Sequence, residues 1–167
     1  MKTLSLCLTP FIFCLASAAS AQDDIERMHA STMQSFTPEN IQWKDEPILP
    51  KGAQSAIVVG DPTKKGVFIA WLKFPANYPI PPHTHPYTEV VTVLSGKLGN
   101  GMGKVLDKTN GELLNAGSSF VLPPGHTHYV WTTDQETIVE LIATGPWDIQ
   151  YTNPGDDPRK NAAAPKK

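Results

Sequence analysis

Two short segments of this 167-residue chain concentrate the side chains that could do chemistry. The first runs Pro81-Pro82-His83-Thr84-His85-Pro86-Tyr87-Thr88-Glu89 and continues through an apolar stretch to Gly96. Side chains two apart on extended backbone share a face, so His83 and His85 can present both imidazoles to one point. Glu89 lies four residues further on, which would be about 13 Å along a straight strand, whereas bonds to a first-row metal are about 2 Å long. The chain must therefore bend between His85 and Glu89 if all three are to meet, and Pro86, which cannot donate to a strand ladder, is placed to break the pairing there. The second segment, Gly117 to His128, reads as a strand, a Pro123-Pro124-Gly125 turn and a histidine entering the next strand. Such a turn can carry His128 back toward the first cluster. Three imidazoles and one carboxylate form a donor set suited to manganese, iron, nickel, copper or zinc.

The elements that would position these groups are short. From Ile41 onward, apolar runs alternate with turn residues: Ala56 to Val59, Val67 to Phe74, Glu89 to Leu94, Leu98 to Val105, Ser119 to Leu122, Tyr129 to Thr132 and Thr137 to Thr144. Sixteen prolines and twelve glycines argue against long helices. The length suits one domain, and about eight strands suffice to close a barrel. An all-β class is expected.

The two segments match HxH(x)3E(x)6G and G(x)5PxGxxH at every fixed position, and in this they resemble the two motifs of the cupin superfamily. The resemblance covers roughly residues 41–151 and implies a single cupin barrel of the double-stranded β-helix, or jelly-roll, type. It is similar to small exported bacterial cupins also at Gly60-Asp61-Pro62, Phe74-Pro75-Ala76 and Gly101-Met102-Gly103. It implies a divalent metal on His83, His85, Glu89 and His128, and a homodimer. Two positions depart from the pattern: Asn77 stands where a glycine is usual, and Thr132 where an asparagine often closes the second motif. Neither is a ligand. Asparagine tolerates the left-handed conformation better than most residues, so the turn at Asn77 is expected to survive.

Further residues are candidates for supporting roles. Glu140 interrupts the apolar run Ile138 to Ile142 and could be a general base facing the pocket or an outward-facing residue on the wet side of the barrel. Tyr87, Tyr129 and Trp131 flank the ligands and are candidate substrate contacts, although strand aromatics commonly serve packing. His126, in the turn itself, is expected to face solvent, and His29 to lie at the surface or an interface.

The first residues combine Lys2, an apolar run to about Ala16 and the small residues Ala19-Ser20-Ala21, the pattern of a secretory signal peptide over residues 1–21. The apolar run is shorter than the roughly 20 residues of a membrane span, so a periplasmic or secreted product with no membrane span is expected. Both cysteines, Cys7 and Cys14, fall inside this leader. Its removal would leave no thiol, and any metal would be held by nitrogen and oxygen. The product would carry 13 basic and 16 acidic residues, with no basic patch to suggest nucleic acid. Residues 22–40 are expected to form an N-terminal arm, 41–151 the barrel and 152–167 a flexible polar tail.

Two positions left open on an octahedral ion would admit a chelating, often anionic, small oxygenated molecule. The resemblance implies dioxygenases, decarboxylases, isomerases and lyases alike, and fold does not choose among them. Two other readings stand beside an enzyme: a protein that binds or senses a metal or metabolite without turnover, and a closed structural zinc site.

Overall fold

The computed structural model describes residues 33–161. Eleven strands build it: β1 Lys44–Asp45, β2 Gln54–Val59, β3 Gly66–Phe74, β4 Pro79–Thr84, β5 Glu89–Ser95, β6 Lys97–Met102, β7 Gly111–Asn115, β8 Ser119–Leu122, β9 His128–Thr132, β10 Thr137–Gly145 and β11 Gln150–Tyr151. They form two antiparallel sheets, one ordered β1-β2-β3-β10-β5-β8 and the other β11-β4-β9-β6-β7. This is the all-β jelly-roll barrel expected. A single turn of helix, α1 (Pro158–Asn161), follows the last strand.

Strict alternation selects what lies between the sheets. Phe68, Ala70 and Phe74 of β3, Val91 and Val93 of β5, and Val139 and Leu141 of β10 meet Ile80, Leu98 and Val130 of the second sheet in one core. The turns that return each strand rely on special residues. Gly96 joins β5 to β6 at φ +78°, and a Cβ there would sit 2.5 Å from Glu136 O, so only glycine fits. Asn77 does adopt a left-handed conformation, φ 59°. Thr132 takes up the work at the second departure: its Oγ1 accepts from Tyr78 N at 2.8 Å and donates to Pro75 O at 2.6 Å.

A strand, β4, runs through the proline-rich stretch up to the first histidine, in keeping with the extended backbone that the spacing of His83 and His85 implies. β4 pairs with β9 at Pro79 and Ile80 and again at His83, with the register shifting between Ile80 and His83. Pro81 and Pro82, which have no N–H to offer, occupy that irregularity. β7 and the two-residue strands β1 and β11 were not anticipated, because edge strands this short carry little alternation.

The polar segment from Thr152 is likewise not loose as far as it is described. Arg159 donates from Nε and Nη2 to the Asp157 carboxylate, from Nη1 to Asp148 Oδ1 at 2.7 Å and from Nη2 to Ile149 O at 2.8 Å. One guanidinium thus ties the segment to a loop whose Ile149 is core, a planar fork meeting several oxygens at once. The leader, most of the N-terminal arm with His29, and residues 162–167 lie outside the described residues.

Candidate metal centre

His83 is the penultimate residue of β4, His85 follows just beyond the strand, Glu89 opens β5 and His128 opens β9. The bend over residues 85–88 accomplishes what the spacing demanded. Gly125 N donates to His85 O at 2.9 Å, which fastens the Pro-Gly turn of the second segment to the first. His83 and His128 are direct partners across the β4–β9 pair. One ligand nitrogen from each of His83, His85 and His128 lies within 4.8 Å of the others. Glu89 Oε2 is 3.5 Å from His85 Nε2, and its Oε1 is 3.4 Å from His128 Nε2. All four side chains are buried.

The outer nitrogens are held from behind. His83 Nδ1 donates to Pro81 O at 2.6 Å, and His85 Nδ1 to Asp148 O at 2.9 Å. His128 Nδ1 lies 3.4 Å from Asn100 Oδ1. Two main-chain carbonyls can only accept, so those rings carry the proton on Nδ1 and turn an Nε2 lone pair to the centre. Trp147 stacks on the His85 ring at 4.2 Å and 14°, restricting its rotation.

Burial sets the charge state. Desolvation, with the neighbouring imidazole His85 adding to it, lowers His83 to about 3, and desolvation lowers His85 to about 4 against the help of Asp148. His128 is driven well below the ordinary imidazole range by desolvation and by His83 and His85. Glu89 is pushed up to about 8 by desolvation. At neutral pH the imidazoles are therefore neutral and the carboxyl largely protonated, so the short Glu89–His distances are not ion pairs. His128 Nε2 has no hydrogen-bond partner among the described residues although it is shut from water. An unpaired buried acceptor beside a carboxyl that lacks a counter-charge is what a cation site looks like before the cation's own field is counted. The donor set and its outward hydrogen bonds fit a divalent first-row metal.

Beside this cluster the barrel holds a cavity of about 90 Å³, partly open to solvent. His83, His85, Glu89 and His128 line it together with Phe68, Leu72, Phe120, Val130, Leu141 and Trp147, while Glu46, Ile48, Ser55 and Ile57 contribute from the chain around β2.

The supporting candidates fall elsewhere. Glu140 faces out of the barrel: β10 turns Val139 and Leu141 to the cavity, and Glu140 sits opposite Trp71, whose Nε1 donates to its Oε2 at 3.2 Å. It is no general base for this cavity. Tyr129 and Trp131 alternate with the inward residues His128 and Val130 and so lie on the other face of β9. There they pack over glycines: a Cβ at Gly101 would come within 2.5 Å of the Tyr129 ring, and one at Gly99 within 2.0 Å of Trp131. The Tyr129 hydroxyl donates to Asp107 O at 2.9 Å. Tyr87 is 38% exposed and does not line the cavity. His126 is exposed, as expected. Sequence reasoning missed Trp147, Phe120, Phe68, Asn100 and the Asp148 carbonyl. Phe120, two residues from Leu122, and Phe68, in step with Ala70, Leu72 and Phe74, left a local signal on alternating strands.

Known proteins agree with this architecture. The chain matches germin-like protein 2-3 of Oryza sativa subsp. japonica at 35% identity over 94 residues, 53% of this chain and 42% of that protein. It matches germin-like protein subfamily 1 member 1 of Arabidopsis thaliana at 33% over 91 residues, 54% of this chain and 40% of that one. The chain thus spans well under half the length of these relatives. Among solved structures, the polyketide cyclase RemF from Streptomyces resistomycificus superimposes with a TM-score of 0.61 at 19% identity, covering 80% of this chain and 95% of that one. An oxalate oxidase gives 0.51 at 22% identity, covering 71% and 63%. Identities this low speak to the fold alone. The cupin family model matches residues 61–153, a span that contains both motifs and every residue of the centre, and the chain belongs to the cupin family.

Proposed function

We propose that this chain is an exported metal-dependent cupin in which His83, His85, His128 and Glu89 hold one divalent transition metal, and that it acts on a small oxygenated molecule chelated there. The observation that carries this reading is the orientation of the histidines: Nδ1 atoms anchored outward, Nε2 atoms converging, and one of them buried without a partner. The neutral imidazoles need lose no proton to bind a cation, and a cation's field would return the Glu89 proton to solvent. When bound, such an ion supplies Lewis acidity or, if iron, manganese or copper, a centre for oxygen chemistry. The residues themselves hold the donor geometry through Pro81, Asp148 and Asn100. The largely apolar walls reduce the contact of whatever enters with water. Beyond these four, Glu46 is the one titratable side chain among the described residues lining the cavity, and metal-dependent binding without turnover stands as the second reading.

Loading the protein with cobalt and titrating a panel of chelating oxyacids, diketones and aryl diols tests the proposal. The expected result is a change in the metal's absorption with some members of the panel. Silence with all of them would point to a closed site and overturn the reading. Recovery of unchanged ligand after tight binding would select the second reading. Export requires that the mature chain begin near Gln22, which N-terminal sequencing of the native protein checks.

A further inference from the structure

The walls of the cavity narrow the kind of molecule it takes. Apart from the four residues of the centre, the polar side chains lining it are Glu46 and Ser55, and no lining residue is lysine or arginine. A dianionic chelator such as a dicarboxylate would therefore meet no protein cation there, while Glu46 adds a second carboxylate to the enclosure. Glu46 belongs to a strap, residues 46–50, that the Tyr78 and Tyr151 hydroxyls hold by donating to Pro50 O and Ile48 O. Glu46 Oε1 itself accepts only a long bond, 3.4 Å, from Ile48 N. The remaining wall is aromatic and aliphatic, with Phe68, Leu72, Phe120 and Leu141 from the six-stranded sheet and Ile80 and Val130 from the other. A cavity of about 90 Å³ holds roughly six to nine waters, or a guest on the order of ten non-hydrogen atoms.

We infer that the substrate is a neutral or singly ionised chelator on an apolar body, of the size of a monocyclic aryl diol or a short enolisable diketone, and that Glu46 is a specificity-determining residue acting against dianions. This rests on the metal reading above, which supplies the chelated end. The rest of the argument comes from the walls. Burying a hydrocarbon body against them is favourable, whereas a dianion brings a second negative charge that no lysine or arginine of the lining offsets and that Glu46 opposes.

The test uses the metal-loaded chain, with occupancy measured by elemental analysis, titrated calorimetrically with 4-methylcatechol and with malonate. The catechol is expected to bind at least about tenfold more tightly. Glu46→Lys is expected to strengthen malonate binding by about tenfold and to change catechol binding by less than about threefold, with Glu46→Gln between the two. A metal-loaded wild-type protein that binds malonate as tightly as the catechol overturns this inference and leaves the metal reading standing. Unchanged malonate affinity in both Glu46 variants removes Glu46 as the discriminating residue. Failure to take up metal overturns the metal reading, and the chelating part of this inference with it. In that case binding of the non-chelating 4-methylanisole to the metal-free chain still reports whether the cavity accepts an apolar guest, and no binding overturns the apolar part as well.

Discussion

The two faces of β9 do different work. The inner face carries His128 and Val130 into the cavity, where an imidazole nitrogen is left without a hydrogen-bond partner. The outer face carries Tyr129 and Trp131 against Gly99, Gly101 and Gly111, with the one donor that a tyrosine offers fully used. One face is underpacked in polar terms and suited to a ligand. The other is satisfied and close-packed, and suited to stability. Neighbours in sequence on a strand are opposites in space, which is why aromatic residues flanking a ligand histidine are poor candidates for its pocket.

Substitutions on the two faces should separate these roles. The largest effect on stability is expected from Trp131→Ala, which empties a packed site above two glycines and should cost about 3–5 kcal/mol in urea unfolding. Metal uptake by the folded variant should be unchanged. His128→Ala should do the reverse: affinity for metal, measured by competition with a chromogenic chelator, falls on the order of a hundredfold or more, with a smaller loss of metal-free stability than at Trp131. Equal loss of metal binding in both variants would erase the distinction between the faces.

Glu89→Gln sharpens the contrast through pH. Burial raises the Glu89 carboxyl to about 8 from an ordinary 4.5, so the folded metal-free chain binds the proton more tightly than the unfolded one. Its contribution is complete below about pH 4.5 and is lost as the pH rises through 8. The histidines act in the opposite sense: with His83 and His85 lowered to about 3 and 4 from 6.5, stability present above pH 6.5 is lost as the pH falls toward those values. Metal-free wild type should thus be destabilised on the alkaline side, and Glu89→Gln should be the more stable of the two at pH 8 by about 4 kcal/mol at most, while binding metal more weakly. Thermal melts across pH with chelator present check the sign. The smallest effect belongs to Glu140→Gln, which keeps an acceptor for Trp71 Nε1 on the barrel's outside and should change stability by less than about 1 kcal/mol and metal affinity not at all.

Much of the centre could be read from the chain before any coordinates. The requirement that the backbone bend between His85 and Glu89 followed from strand rise alone, and the bend is there, secured by Gly125 N on His85 O. The left-handed turn at Asn77 followed from the resemblance, which has a glycine at that position, together with asparagine's tolerance of that conformation. What escaped was non-local. The Asp148 carbonyl behind His85 and the Trp147 ring upon it are more than sixty residues from that histidine, and no spacing announces them. The strand β4 falls outside the apolar runs because its prolines leave no alternation to read, although the spacing of His83 and His85 presupposes extended backbone there. Glu140 looked anomalous in an apolar run because that run is wrapped on both faces, one by the core and the other by side chains such as Trp71.

Elemental analysis of the native, untagged chain beside a His83→Ala, His128→Ala double variant tests the metal centre most directly. Near one equivalent of a divalent transition metal in the native chain and none in the folded variant is the predicted result. A native chain without metal that also fails to acquire any on dialysis against manganese, iron, nickel, copper or zinc would contradict it.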